Sequence, residues 1–379
     1  MSEHSGAKSG RLLSIDLGSS TAQILRNGVV HSVHVSHAVD IRPGDFVSIG
    51  AAGELRLLQA YRPEVFPTQQ RDLSRFLSTS KWPVLKRRAL LIKAIRAFFD
   101  ERGFLEVETP LLVPSPGTEV HLDAVPARVR PEPGAPADER FLITSPEYHM
   151  KRLLSAGSGP IYQLTKVFRD GERGANHRVE FTMLEWYRPF ESYDMLMEDC
   201  EELLIHLAGS LTLTTGGRGI NLERPWPRLP FKDALVKVAG VDPMSLTLDE
   251  QLECMVSQVE PKLDPERPHF ITEFPIGLAS LARPKPNDPT VAERFELFAG
   301  GLELANAFGE LTDPDIQRLR CEDELQERQE ESKPHQPLDE EFLGALEEGC
   351  PPSSGIALGV DRLVMLLTGA ETIDDVLAF

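Results

Sequence analysis

The sequence contains no run of about 18 consecutive apolar residues, the length that a membrane-spanning helix requires. Its first residues, MSEHSGAKSGR, also lack the apolar stretch of a secretory signal. Cysteine is scarce as well, because only four occur, far apart in the chain (Cys200, Cys254, Cys321 and Cys350). That spacing indicates neither a zinc site nor a disulfide framework. We therefore expect a cytoplasmic protein with reduced thiols and no membrane partner.

Basic side chains are in the minority, with 40 Lys and Arg against 59 Asp and Glu and a formal net charge of −19. Such a charge repels phosphate backbones, which argues against a broad nucleic-acid surface. The densest basic stretch, KWPVLKRRALLIKAIR (81–96), is interpreted as a helix with a solvated charged face. The 41% hydrophobic content still allows a sizeable core, in one large domain with a smaller one or in two of moderate size.

Short apolar runs separated by turn residues occupy positions 11–66 and predict five strands, as in a small β-barrel or β-meander. We expect residues 1–10, which are small and polar, to form a disordered tail. Residues 67–81 are interpreted as a linker and residues 82–379 as the main domain. This domain opens with a predicted helix from about Pro83 to Arg102, which Gly103 ends.

Further helices are predicted near 145–155, 191–209, 231–239, 314–331, 339–348 and 361–368, among strands and hairpins. The irregular order of the strands favours an α+β fold over regular βαβ winding. We expect a mostly antiparallel sheet with helices packed on it. The stretch RVRPEPGAPADER (128–140) is interpreted as an exposed loop.

Two glutamates fall on one predicted hairpin in RFELFAGGLELANAFGEL (294–311). If Ala299 and Gly300 form a two-residue turn, Glu296 lies directly opposite Glu303, with Cβ atoms about 4.5–5.5 Å apart. Like charges at that distance are destabilising unless a cation such as Mg²⁺ compensates, and hard cations favour carboxylate oxygens. A solvated hairpin at a sheet edge is the alternative interpretation of this segment.

A second hairpin, with a long polar loop, is predicted in FRDGERGANHRVEFTMLEWY (168–187). Arg169 lies where the first strand ends, and its guanidinium suits bidentate contact with phosphate. Phe181 on the return strand offers a flat face to a purine. An ordinary surface hairpin with salt bridges is the alternative.

A third segment, SGIALGVDRLVMLLTG (354–369), predicts a small-residue strand that runs into an apolar helix. Gly355 and Gly359 permit close approach of the backbone to a ligand. Arg362 suits phosphate binding or stacking on an aromatic ring. A buried strand followed by a packed helix explains the pattern equally well.

Taken in order, these segments and GFLEVETPLLVPSPGTE (103–119) resemble class II aminoacyl-tRNA synthetases, from about Trp82 to Phe379. The stretches TSPEYHMKRLL (144–154) and NAFGEL (306–311), with the two glutamates, are similar to the lysine branch. The C-terminal stretch ALGVDRLVMLLTGAETIDDVLAF is most similar to the elongation factor P–(R)-β-lysine ligase family.

The resemblance implies an ATP-dependent ligase that forms an aminoacyl-adenylate, with ATP and Mg²⁺ as cofactors. It implies catalytic roles for Arg169 and Arg362, and it implies Glu296 and Glu303 as metal ligands. The ATP-binding residues that it implies are Arg169, Asp170, Gly171, His177, Arg178, Phe181, Glu296, Leu297, Asn306, Gly359 and Arg362. The substrate-binding residues that it implies are Ser145, Pro146, Glu147, Tyr187, Glu303 and Glu310.

The same resemblance implies elongation factor P as the protein acceptor, (R)-β-lysine or lysine as the substrate, and a homodimer with residues 103–119 at its interface. A tRNA partner is not expected, because the segment before the core is shorter than in lysyl-tRNA synthetases. Ala357, where those enzymes usually have Gly, is a specificity candidate. The alternatives are an α-lysine-activating enzyme with tRNA or another acceptor, and a catalytically silent regulatory paralogue.

Some positions depart from the family pattern. Arg178 replaces an ATP-contacting Asn, Val179 replaces Pro, and Gly171 stands where a carboxylate is usual. In addition, Glu303 and Asn306 would face opposite sides of a regular strand. Bringing both into one site therefore requires a β-bulge nearby, which we expect near Ala305.

Overall fold

The structure is a computed structural model, and it describes residues 8–16, 18–38, 40–68, 72–78, 81–279 and 281–379. The chain divides into two compact units, residues 1–87 with Ala378 and residues 88–377 with Phe379. Among the residues so described, no helix combines the length and the apolar character needed to cross a membrane.

The first unit contains one six-stranded sheet. Its strands are β1 Lys8–Asp16, β2 Thr21–Arg26, β3 Val29–His34, β4 His37–Ala38, β5 Phe46–Ile49 and β6 Glu54–Gln59, in the order β3-β2-β1-β5-β6-β4. The outermost strands β3 and β4 follow each other in sequence, so the sheet curls around a small core that includes Leu12, Ile24 and Val47. All five predicted strands are present, and β4 is additional.

Two boundaries differ from the predicted ones. Strand β1 begins at Lys8, so the predicted tail is wrong for residues 8–10, whereas residues 1–7 lie outside the described residues. Helix α1, Asp72–Ser78, lies within the predicted linker, of which residues 69–71 and 79–80 are not described. Its apolar side chains recur at helical spacing and Asp72 lies in the first turn, where a carboxylate complements the helix dipole.

Helix α2, Lys81–Asp100, is the predicted long helix, shifted by two residues. The other helices are α3 Glu147–Ser155, α4 Tyr193–Ala208, α5 Phe231–Ala234, α6 Leu248–Cys254, α7 Pro314–Glu330, α8 Glu340–Gly349, α9 Val360–Thr368 and α10 Ile373–Val376. Both α5 and α6 continue as π-helical turns, Leu235–Ala239 and Met255–Val259. Short 3₁₀ segments span Pro243–Ser245, Glu260–Lys262 and Ile276–Leu278. The predicted helices are confirmed, and α6 and α10 were not predicted.

The second unit is built on an eight-stranded sheet. The strands of this unit are β7 Leu105–Glu106, β8 Leu112–Val113, β9 Pro126–Val129, β10 Asp138–Leu142, β11 Ile161–Phe168, β12 Glu180–Pro189, β13 Thr212–Thr215, β14 Arg218–Asn221, β15 Arg228–Pro230, β16 His269–Thr272, β17 Pro284–Lys285, β18 Asp288–Ala292, β19 Arg294–Ala299, β20 Leu302–Gly309 and β21 Ser353–Gly359. The large sheet has the order β15-β16-β19-β20-β21-β12-β11-β7, antiparallel except at its two ends. The predicted α+β class is therefore confirmed.

Helices α4 and α9 pack against the central strands of this sheet. On β12, Trp186 faces α4 and donates to Asp199 at 3.0 Å. Because side chains alternate along a strand, Glu185 and Tyr187 share the opposite face. That face bears the candidate active site.

The predicted loop 128–140 is confirmed for residues 130–137, whereas residues 128–129 and 138–140 belong to the two strands of a hairpin. Strands β9 and β10 pair there, with Glu139 opposite Arg128 and Asp138 opposite Val129. Opposite charges on directly facing positions support the pairing. Only the residues between the two strands form an exposed turn.

The β19–β20 hairpin has a different register from the predicted one. Its turn residues are Gly300 and Gly301, both with positive φ (62° and 81°), which suits a two-residue hairpin turn. Glu296 therefore faces Asn306, and Phe298 faces Glu303. Leu297 faces Ala305, so Leu304 is the extra residue of a β-bulge. The expected bulge near Ala305 is confirmed, whereas the direct pairing of the two glutamates is wrong.

Candidate active site

A cavity of about 590 Å³ lies over the large sheet. It is lined by most of the predicted site residues, namely Ser145, Glu147, Arg169, His177, Arg178, Phe181, Tyr187, Glu303, Asn306, Glu310, Ala357, Gly359 and Arg362. Predicted residues outside its lining are Pro146, Asp170, Gly171, Glu296 and Leu297. The hairpin loop 169–179, the bulged strand β20 and the junction of β21 with α9 thus meet at one cavity.

One end of the cavity is acidic. Pro146 is the N-cap residue of α3, and the next residue, Glu147, receives support from Ser145, whose Oγ accepts from the Glu147 N–H at 3.0 Å. Lys151, one turn further along α3, lies with its Nζ 2.7 Å from Glu147 Oε1 and 2.5 Å from Glu310 Oε2. Its side chain is 1% exposed. Burial alone would lower the pKa of Lys151, but the two carboxylates outweigh it and raise the pKa, so the ammonium stays charged.

Glu185 is a site residue that the sequence interpretation missed. Its two carboxylate oxygens accept hydrogen bonds from Ser145 Oγ at 2.6 Å and from Tyr187 Oη at 3.0 Å. Burial, together with nearby Glu147, raises the pKa of Glu185 to about 8. A glutamate between Leu184 and Trp186, on the same strand face as Tyr187, was a signal that could have identified it.

The acidic end extends to two further carboxylates. Glu119, in the loop after β8, and Glu324, on α7, both line the cavity. Burial, together with Glu147 and Glu324, raises the pKa of Glu119 to about 7. Thr118 Oγ1 donates to Glu324 at 2.5 Å. A cluster of buried carboxylates with one ammonium among them suits a ligand that carries positive charge.

The other end of the cavity carries guanidinium groups. Arg169 begins the loop 169–179, and its Cζ lies 5.3 Å from the centroid of the Phe181 ring. Arg362, in the first turn of α9, donates from Nη1 to the Glu303 backbone carbonyl at 2.8 Å and to Glu303 Oε2 at 3.1 Å. Its side chain also contacts His177. Burial and the Arg362 charge lower the pKa of His177, which keeps the imidazole neutral near pH 7.

Asp361 anchors this end from beneath. Its carboxylate accepts from the Thr182 backbone N–H at 2.7 Å and lies 2.5 Å from Arg88 Nη1. Asp361, which is 1% exposed, thus ties the start of α9 to β12 and to Arg88. A Cβ built on Gly359, just before α9, would meet no clash, because its nearest neighbours are Arg362 side-chain atoms at 3.8–3.9 Å.

The two predicted metal-binding glutamates lie on neighbouring strands, Glu296 on β19 and Glu303 on β20. Glu296 Oε1 accepts from Arg294 Nη2 at 2.7 Å. Burial and the charge of Glu303 together raise the pKa of Glu296 to about 7, against the opposing effect of Arg294. On the facing strand, the Asn306 Oδ1 atom is buried without a hydrogen-bond partner. Among the described residues, no cluster of three or more His, Cys, Asp or Glu has the arrangement of a metal site.

Comparisons with known proteins agree with this geometry. Residues 68–379 match the family of class II tRNA synthetases (D, K and N). The chain is also similar to proteins named elongation factor P–(R)-β-lysine ligase. It is 44% identical to the one from Proteus mirabilis, covering 78% of this chain and 94% of that protein. The identities to those from Klebsiella pneumoniae and Haemophilus influenzae are 44% and 41%, with the same coverage.

The antiparallel sheet, the cavity above it and the match over residues 68–379 define a class II synthetase-type catalytic fold. Strands β1–β6 precede the matched residues. The identities of 41–45% to the β-lysine ligases extend over nearly the whole length of those relatives. The chain belongs to the elongation factor P–(R)-β-lysine ligase family.

Proposed function

We propose that the protein activates (R)-β-lysine with ATP and transfers it to a lysine side chain of elongation factor P. The observation that carries the proposal is the pairing of an acidic end and a guanidinium end in one cavity. This pairing occurs in a chain that is 41–45% identical to proteins named for that activity. We propose residues 82–379 as the catalytic domain and the cytoplasm as its location, where its acceptor would be found.

In the first step, a carboxylate oxygen of the amino acid attacks the α-phosphorus of ATP, and the bond from that phosphorus to the bridging oxygen of pyrophosphate breaks. Arg169 would bind the α-phosphate and the attacking carboxylate, and it would stabilise the charge that develops there. Phe181 and Arg362 would hold the adenine from its two sides. Such a displacement depends on positioning and charge stabilisation more than on an acid or base.

In the second step, the amine of the acceptor lysine attacks the activated carbonyl. The bond to AMP breaks, an amide forms, and the acceptor nitrogen loses a proton to solvent. Glu185 would bind a substrate ammonium group, since this buried carboxylate accepts its hydrogen bonds from hydroxyl groups and not from a cation. Ser145, Tyr187, Glu147 and Glu310 would complete the amino-acid pocket, and Ala357, which faces Glu185 across β12 and β21, would shape it.

Glu296 and Glu303 would hold Mg²⁺, with the Oδ1 atom of Asn306 as a further oxygen. The fit rests on the oxygen donors of facing strands, with the charge of Glu303 close enough to help burial raise the pKa of Glu296, and on the unpartnered Asn306 oxygen. Mg²⁺ is typically bound by one or two carboxylates together with substrate phosphates. The ion would neutralise phosphate charge when ATP is bound.

A homodimer and a protein acceptor, with no tRNA, complete the proposal. Leu105, Leu111 and Leu112 are 55%, 37% and 40% exposed in the segment that resembles the family's dimer interface. Exposed apolar clusters of this kind suit burial against a second copy. The net charge of −19 suits a basic protein surface better than RNA.

Intact mass spectrometry of elongation factor P after incubation with the enzyme, ATP and (R)-β-lysine tests the acceptor. We expect a gain equal to one β-lysyl group, and no gain with Arg169→Ala. Pyrophosphate exchange with (R)-β-lysine and α-lysine tests the amino acid, and faster exchange with the β-isomer is expected. An unchanged mass together with charged tRNA would favour the α-lysine alternative, and no exchange with either isomer would favour a silent paralogue.

A further inference from the structure

The loop 169–179 is held at its tip by two different helices. From α9, Arg362 Nε donates to the Asn176 carbonyl at 3.4 Å. From α10, the Ile373 backbone N–H donates to the Ala175 carbonyl at 2.8 Å. Two consecutive carbonyls of the tip are thus fixed from two sides. The loop is the one that begins at Arg169 and ends at the strand carrying Phe181.

Arg178 joins the same loop to α10. Its Nη1 donates to the Gly174 carbonyl at 3.2 Å and to the His177 carbonyl at 3.1 Å. Its Nη2 contacts the carboxylate of Asp374, the second residue of α10. The Arg178 side chain is 20% exposed and that of Asp374 is 59% exposed. The contacts of this guanidinium are therefore with the protein itself, at the rim of the cavity.

Helix α10 is short but well supported. A capping box joins Thr372 and Asp375 at its start, with Thr372 Oγ1 donating to Asp375 at 2.7 Å. Ile373 and Val376 are buried, at 2% and 0% exposure. Ile373 also lines the main cavity, together with the loop tip and Arg362. An apolar wall at this end suits a nucleoside, which presents a large apolar ring face, better than it suits phosphate.

We propose that α10 forms part of the nucleotide site. Ile373 is a wall residue that contacts the nucleoside, and Arg178 is a positioning residue that fastens the loop tip to α10 through Asp374. This inference deepens the proposed function and rests on it. It differs from direct ATP binding by Arg178, because it makes the effect of Arg178 depend on Asp374.

The test compares Asp374→Asn, Arg178→Asn and the exchanged pair Arg178→Asp with Asp374→Arg. Asp233→Asn is the matched control, because it removes an exposed ion pair of 2.8 Å with Lys237 that does not line the cavity. The dissociation constants of ATP, AMP and the amino acid alone are measured by calorimetry. Hydrogen exchange of residues 370–377 is measured on the same proteins.

We expect Asp374→Asn and Arg178→Asn each to raise the dissociation constants of ATP and AMP about two- to fivefold. This is the effect expected from losing a partly exposed ion pair. Exchange at residues 370–377 should accelerate in both variants, and the exchanged pair should recover part of both readouts, because it rebuilds the ion pair but not the hydrogen bonds that Arg178 donates to two loop carbonyls. Amino-acid affinity should not change in any of them. Ile373→Val is a mild truncation. It should raise the dissociation constants of AMP and ATP by the same factor, because the contact is with the nucleoside.

Two results would overturn the inference while the wild type binds ATP normally. One is an ATP affinity in Asp374→Asn equal to that of Asp233→Asn. The other is a loss in Arg178→Asn with none in Asp374→Asn, which would mean that Arg178 acts without Asp374. A wild-type protein that binds no ATP would instead contradict the proposed function, and the exchange measurement would still report whether Asp374 holds the loop.

Discussion

The carboxylate of Asp361 accepts a 2.7 Å hydrogen bond from the backbone N–H of Thr182. The residue after Asp361 is Arg362 and the residue before Thr182 is Phe181, the two side chains proposed to hold the adenine. One buried hydrogen bond between α9 and β12 therefore sets the distance between them. The ion pair of Asp361 with Arg88 orients that carboxylate toward the Thr182 N–H.

Replacing Asp361 by Asn should separate the contribution of the hydrogen bond from Thr182 from that of the ion pair with Arg88. The amide oxygen still accepts from Thr182, so we expect ATP affinity to stay near the wild-type value. The partner Arg88, 13% exposed, loses its counter-charge, and the free energy of unfolding should fall by about 3 kcal/mol. Urea unfolding and ATP titration measure the two effects. A stability within 1 kcal/mol of wild type would show that the pair contributes little.

Lys151→Met should destabilise the folded protein strongly, although the two side chains are similar in size. Glu147 and Glu310 would remain buried without the ammonium that lies between them, at an expected cost of about 3–5 kcal/mol in the free energy of unfolding. Lys237→Met, which removes a 63% exposed ammonium paired with Asp233, should cost less than about 1 kcal/mol. Equal denaturation midpoints for the two variants would contradict the prediction.

Binding of the amino acid should depend on pH through Glu185. Because its pKa is about 8 in the folded protein, this carboxyl is largely protonated at pH 6, and an ammonium ligand must displace the proton. We expect affinity to rise between pH 6 and 8 with release of one proton, seen by calorimetry in buffers of different ionisation enthalpy. Glu185→Gln should bind more weakly and lose this pH dependence. Flat affinity in the wild type over that range would refute the assignment.

The same carboxyl makes a prediction for stability. Between its usual value of 4.5 and about 8, the folded protein holds a proton on Glu185 that the unfolded chain has released. The contribution of Glu185 to the free energy of unfolding therefore falls as pH rises through this range. Glu185→Gln should lose less stability than wild type between pH 5 and 8, as measured by urea unfolding at both values.

Gly355 and Gly359 should respond differently to the same substitution. A Cβ on Gly355 would lie 2.2 Å from the Tyr187 ring and 2.3 Å from Glu310 Oε1, so Gly355→Ala must displace amino-acid pocket residues. We expect its amino-acid KM to rise at least about tenfold, in line with misplacement of binding groups. Gly359→Ala meets no protein atom closer than 3.8 Å and should fold normally. Its expected defect is in ATP affinity alone, because the added methyl faces the open cavity.

Motif spacing allowed much of the site to be predicted, because strand alternation and turn residues are local properties. The double glycine at 300–301 requires a hairpin, and the need for Glu303 and Asn306 in one site predicted a bulge. Choosing which two of Ala299, Gly300 and Gly301 form the turn was not possible from the local sequence. Positive φ at both Gly300 and Gly301 decided it, and the register of the glutamates moved with it.

Contacts between residues far apart in the chain could not be predicted from the sequence. Glu185 looked like one more residue of a strand, and the approach of Ser145, forty positions earlier, together with burial revealed a carboxyl with a raised pKa. Arg178 looked like an altered ATP ligand, whereas its guanidinium contacts Asp374, nearly two hundred positions later in the chain. The sequence by itself determined the fold class, the strands and the family motifs, because these depend on periodicity and spacing. The tertiary structure decided partners, burial and protonation, because these depend on which distant groups the folded chain brings within a few ångströms.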